Sequence, residues 1–236
     1  MSSSKVRIGF YGPSTVCWVN SENSVSFIDQ IRDHFDAEIV NVGVPQGSAE
    51  RILFELKKTK HLDIAIVFHT VPRYVFVPKC SRDLSLDCVK PRRAKLLWTE
   101  SNPRLVPSQQ QFEDEFLGYG GIADVFDTTE KFVDVMSTMR EYFYHPDLQL
   151  NRYQGAMLAI DSYLSSLQIP VFQSVVPKYT PQWLIPSTGT IDTELSSWIW
   201  ITETKQNPRT PNNLTLDQNS RMAARLIEWI EQQRGS

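Results

Sequence analysis

Cysteine is scarce: 3 in 236 residues, at Cys17, Cys80 and Cys88. Three cannot close a disulfide framework, and their spacing lacks the close pairs of a zinc site, so no metal is expected. No apolar run approaches the roughly 18 residues of a membrane span, and the N-terminus lacks a signal-type hydrophobic region. Positive charge is not in excess. Lys plus Arg number 24 against 27 Asp plus Glu, a net charge of −3, whereas a dedicated nucleic-acid binder carries a clear basic surplus. Neither G-x-G-x-x-G nor G-x-x-x-x-G-K-S/T occurs, so the signatures of dinucleotide and nucleoside-triphosphate binding are missing. The expectations are a cytoplasmic chain with no nucleic-acid partner, no membrane partner and no cofactor.

What is present is ordinary globular material, 41% hydrophobic and 22% charged. That suffices for a sizeable core. With no internal repeat and no low-complexity tract, one domain spanning residues 1–236 is expected. Its first third alternates strand and helix patterns. Lys5–Tyr11 is a β-rich run that stops at Gly12-Pro13-Ser14. Ser24–Phe35 places Val25, Ile28, Ile31 and Phe35 on one helical face. Ala37–Val42 is a second strand, and Ser48 is placed to cap a helix running to Lys60, with Lys57, Lys58 and Lys60 on its outer side. Leu62–Phe68 is a continuous apolar strand of the kind buried on both faces of a parallel sheet. This βαβαβ order predicts an α/β fold, a three-layer αβα sandwich around a mostly parallel, flavodoxin-like sheet.

Periodicity weakens from about 71 to 129, where Pro72, Pro78, Pro91, Pro103 and Pro107 are scattered among arginines. Ala94–Thr99 is a candidate strand there, and the rest is expected to be an elaborated loop. Helix patterns return at Glu130–Tyr144 and Leu150–Leu167, with His145-Pro146-Asp147 as a turn that sets Pro146 at the first helical position. Ile169–Val176 reads as the next strand, and Thr190–Thr202, carrying Trp198 and Trp200, as a short helix or aromatic loop. Thr215 and Gln218 form a capping box for a last helix with Ala223, Leu226, Ile227 and Ile230 on one face.

Ligands of open parallel sheets bind beyond the carboxyl ends of the strands, where strand order reverses. With strand order 2-1-3-4-5 the first and third strands are neighbours, and Ser14 and His69 face each other across that switch point. On these residues the chain resembles the SGNH (GDSL-type) hydrolase superfamily, which contains many esterases and lipases. Gly12-Pro13-Ser14 is similar to the family's Gly-Asp-Ser block. Asn41 to Ser48 resembles its second block, with Gly47 at the glycine after a one-residue shift. Two blocks depart from the pattern. His69-Thr70-Val71-Pro72 stands where Gly-x-Asn-Asp is usual, without the asparagine, and Asn213-Leu214-Thr215 looks like the final block with Asn213 at the histidine position and Thr210 at the aspartate position.

The resemblance implies a serine esterase with an acyl intermediate on Ser14, while the substitutions remove its usual base. A serine hydroxyl needs a base within hydrogen-bond reach, and an amide such as Asn213 cannot serve. His69 is the replacement base by residue type and position, and Gly47 and Asn213 would line the pocket that holds the developing oxyanion. The plain alternative for His69 is a strand-end histidine that only hydrogen-bonds the fold. Cys17, just after the serine turn, fits packing better than catalysis. The expected partner is a small-molecule or carbohydrate ester. The alternative is a catalytically silent SGNH-like binding or assembly module, with Trp18, Trp98, Trp183, Trp198 and Trp200 as stacking surfaces or anchors for a protein partner. A phosphate binder using the Gly12 and Gly43–Ser48 turns ranks third, since Pro13 removes an N–H donor.

Overall fold

The computed structural model describes residues 5–13, 16, 26–43, 47–72, 74–75, 84–85, 146–195 and 214–235. Strands β1 (Arg7–Gly12), β2 (Glu38–Gly43) and β3 (Ile64–Phe68) alternate with helices α1 (Phe27–Phe35) and α2 (Ala49–Lys58). A short antiparallel pair, β4 (Tyr74–Val75) with β5 (Leu84–Ser85), stands apart from the main sheet. Then come α3 (Pro146–Leu167), β6 (Val171–Ser174), β7 (Thr190–Asp192) and α4 (Leu216–Gly235). The five-stranded sheet runs β2-β1-β3-β6-β7, and every pair in it is parallel. Counting only these five strands in chain order, that is the expected 2-1-3-4-5.

Alternation along the strands makes the three layers. Ile8, Phe10, Ile64, Ile66, Phe68 and Phe172 pack with residues of α1 and α4. Tyr11, Ala65, Val67 and Val171 pack with α2 and α3 on the opposite side. Arg7 ties down the amino-end edge, donating through Nε to Glu38 (2.8 Å) and through a guanidinium NH to the Lys60 carbonyl (2.6 Å). Asp36, His61 and Gln168 are left-handed, with φ of 47°, 58° and 54°. Each lies between a helix and the strand that follows, where the chain must reverse.

The helix starts follow their caps. Ser26 forms a capping box with Asp29, so α1 begins later than the apolar spacing alone predicts. Ser48 accepts from the Arg51 N–H, and Thr215 and Gln218 close the anticipated box, with Gln218 accepting from Thr215 N–H at 2.8 Å. Pro146 opens α3 at the first helical position, as expected, so the helix takes in Asp147 and the residues ahead of the apolar pattern that begins at Leu150. Two expectations change. Residues 190–192 form the edge strand β7 rather than a helix or loop, and β4 and β5 fall within a segment expected to be loop. Ala94–Thr99, Glu130–Tyr144, the three cysteines, Trp18, Trp98, Trp198 and Trp200 lie outside the described residues.

Asn219 joins the first and last helices. Its Oδ1 accepts from the Phe27 N–H (3.1 Å), its Nδ2 donates to the Thr215 carbonyl (3.0 Å), and it is buried. Asn219→Ala leaves that N–H without its acceptor at a buried helix start. The expected loss is about 1–3 kcal/mol of unfolding free energy, measured by urea denaturation.

Candidate functional site

The register sets the carboxyl ends of all five strands along one edge. Gly12 pairs with Gly43, Tyr11 with Val67, Phe68 with Ser174, and Ser174 with Asp192. The chain leaves β1 for β2 on one side and returns to β3 on the other, so the switch point lies between β1 and β3. Close packing there requires Gly12. A Cβ on it would meet the Phe68 carbonyl oxygen at 3.0 Å, Phe68 Cβ at 2.9 Å and Val16 Cγ2 at 2.8 Å. Two residues beyond Gly12 is Ser14, and one residue beyond Phe68 is His69. Ser14 and Asn213 lie outside the described residues, as does Thr210.

Gly47 and His69 fall on this same edge, on either side of β1. Gly47 is buried immediately before Ser48, the N-cap of α2. His69 continues β3 and is buried, and its backbone N–H donates to the Ser174 carbonyl at 2.8 Å. Val71, two residues beyond His69, is buried in apolar fashion and offers no side-chain donor.

The surroundings of His69 exceed what the sequence suggested. Its Nε2 lies 2.7 Å from Gln173 Oε1. Gln173 is fully buried on β6. Its amide nitrogen donates to Asp161 Oδ1 (3.1 Å) on α3 and to the Thr188 carbonyl (2.8 Å). Asp161 is held by four further contacts: Ser187 N–H (3.0 Å) and Oγ (2.9 Å) on one oxygen, Thr188 N–H (2.9 Å) on the other, and the Thr188 hydroxyl (3.3 Å) on its backbone carbonyl. The His69 Nδ1 atom is buried with no partner among the described residues.

Charge follows from these contacts. Burial dominates at His69 and lowers its pKa from 6.5 to about 4, although the Gln173 oxygen and the Asp161 charge both favour the proton. Burial alone would raise the Asp161 carboxyl, but the hydrogen bonds from Ser187, Thr188 and Gln173 outweigh it and hold the group below its ordinary value. Near neutral pH the pair is therefore a neutral imidazole and a carboxylate bridged by an amide. Such an imidazole has one N–H and one bare nitrogen able to accept a proton.

Gln173, Asp161 and Thr188 were not candidates from sequence. Gln173 alone carried a signal, a polar residue within the apolar run Ile169–Val176, which demands partners once buried. Asp192 at the end of β7 has a structural task. It accepts from Glu194 N–H and Leu195 N–H, both at 2.8 Å, and pairs with Arg225 of α4. Among the described residues no three His, Cys, Asp or Glu side chains converge to hold a metal. No described helix is long and apolar enough to cross a membrane.

No family model matches the chain, and no curated protein matches it. Among solved structures it is similar to a mutant of the esterase AlinE4, with 11% identity and a TM-score of 0.41 over 98% of each chain. The three-layer α/β architecture stands on strand order and packing.

Proposed function

We propose that the chain is a serine carboxylic-ester hydrolase of SGNH-like type, with Ser14 as nucleophile and His69 as base. The observation that carries this reading is the bare, buried Nδ1 of His69 at the switch-point edge, opposite the turn that leads to Ser14. In the proposed cycle Ser14 Oγ attacks the ester carbonyl carbon and its proton passes to His69 Nδ1. The alcohol then departs with that proton, leaving an acyl group on Ser14. Water attacks the acyl carbon, its proton goes to Nδ1 and on to Ser14 Oγ, and the carboxylic acid is released. The Gly47 N–H and the Asn213 side chain are the proposed oxyanion donors in place of the family's asparagine. Acetyl and other short acyl esters of small molecules or carbohydrates are the substrate class.

The test is labelling with a fluorophosphonate, which traps an activated serine. One adduct per chain is expected, mapped by peptide mass to Ser14, with none in Ser14→Ala. Hydrolysis of a short-chain p-nitrophenyl ester should disappear in the same variant. An adduct elsewhere, or turnover that survives Ser14→Ala, overturns the assignment.

A second reading, the silent binding module, is favoured by the burial that weakens His69. Each pKa unit below ambient pH removes about 1.4 kcal/mol of proton affinity, and a general base works best near the operating pH. Trp183, 70% exposed in the segment between β6 and β7, and Ile185 at 43% then supply the anchors for a protein partner. Absence of both adduct and turnover would favour this module.

A further inference from the structure

Amide orientation settles which histidine nitrogen is basic. The two groups that contact the Gln173 amide nitrogen, the Asp161 carboxylate and the Thr188 carbonyl, can only accept hydrogen bonds. Turning the amide over would set its oxygen against both. The oxygen must therefore face His69, and the His69 Nε2 beside it must carry a proton. Asp161 in turn is immobilised by Ser187 and Thr188, so the orientation is fixed from helix α3 through β6 to the end of β3.

We propose that Gln173 and Asp161 are positioning residues that hold His69 as its Nε2–H tautomer and so make Nδ1 the proton-accepting nitrogen. This rests on reading His69 as the base, and it names the residues that orient it. The bridge is an amide rather than a carboxylate directly on the imidazole. It orients the ring and fixes the tautomer while keeping the full negative charge one residue further away. Among the described residues, Asp161 is the titratable group that acts on His69.

The experiment is 15N NMR of the histidine ring nitrogens in the labelled, intact protein. His69 is identified as the resonance pair missing from His69→Gln. At pH 7 the wild type should show a protonated Nε2 and a bare Nδ1. In Gln173→Leu the proton should distribute over both nitrogens, and kcat should fall on the order of 10- to 100-fold, the range for losing a group that orients a working imidazole, with KM little changed. Gln173→Glu should restore the wild-type tautomer, because a glutamic acid sharing its proton with Asp161 still presents an acceptor to Nε2.

A wild-type Nδ1–H tautomer overturns the proposal, as does an unmixed Nε2–H tautomer in Gln173→Leu. Should Gln173→Leu fail to fold, Gln173→Glu decides: an Nδ1–H form there overturns it. The spectra are independent of turnover. An inactive protein with the expected tautomers would sink the esterase reading alone. An active one whose tautomer ignores Gln173 would sink the positioning role alone.

Discussion

Exchange of His69 for glutamine is expected to lower kcat/KM for a short-chain p-nitrophenyl ester by about 10²–10⁴-fold, the usual contribution of a positioned general base. In the wild type the acid limb of kcat/KM should lie near pH 4, the value to which burial lowers His69, rather than near 6.5. The same residue predicts a stability effect whose sign is fixed. At pH 5 the unfolded chain binds a proton at His69 and the folded chain does not. Unfolding free energy therefore rises with pH between about 4 and 6.5 and is flat above. The shift corresponds to about 3 kcal/mol lost on acidification across that window. Asp161, held below its ordinary value, acts in the same direction at the acid end of the window, because the unfolded carboxyl takes up a proton before the folded one does; it is common to wild type and variant. His69→Gln keeps an N–H donor for Gln173 but removes the titration, so the difference between variant and wild type in urea midpoints against pH should shrink toward pH 4. A constant difference from pH 4 to 7 would mean that His69 is not buried neutral.

The parts of the fold legible in the sequence were those governed by local rules. Ser48 and the Thr215–Gln218 pair are caps because a hydroxyl must meet an N–H two or three residues on, and that spacing is visible in one dimension. The buried character of Ile64–Phe68 showed in its uninterrupted apolar run, and the βαβαβ alternation pointed to a parallel, doubly wound sheet. His69 was legible as well, because it directly follows that strand. Its partners were not. Gln173 lies 104 positions away and Asp161 further up the helix before it, and no local spacing relates an imidazole to an amide across two parallel strands. The edge strand β7 was missed for a related reason. It is three residues long, partly exposed and free of alternation, so its pairing with β6 rather than its composition makes it a strand.

The opposite case is Gly189, where the backbone leaves room for nothing but hydrogen. Its φ is +78°, and a Cβ would lie 2.3 Å from the Val171 carbonyl oxygen and 2.7 Å from Val171 Cβ. Neither a side-chain rotation nor a small shift relieves a clash with backbone. Gly189→Ala is expected to cost on the order of 3 kcal/mol, combining left-handed strain with the displaced strand. For a chain of this length that is a fall in Tm of roughly 6–12 °C. The position also bears on the site. Thr188, just before it, supplies the carbonyl that holds the Gln173 amide and the N–H that holds Asp161, while Thr190, just after it, accepts from Trp229 Nε1 at 2.9 Å. Moving residue 189 should therefore loosen the His69 tautomer along with the sheet edge. Gly155→Ala provides the contrast: that glycine lies in α3 with nothing within 4 Å of an added Cβ, so the substitution should stabilise by about 0.4–1 kcal/mol. Opposite signs at the two glycines, read by calorimetry on both variants, are the expected result. A Gly189→Ala protein as stable as wild type would mean that β6 and the turn into β7 do not pack as described.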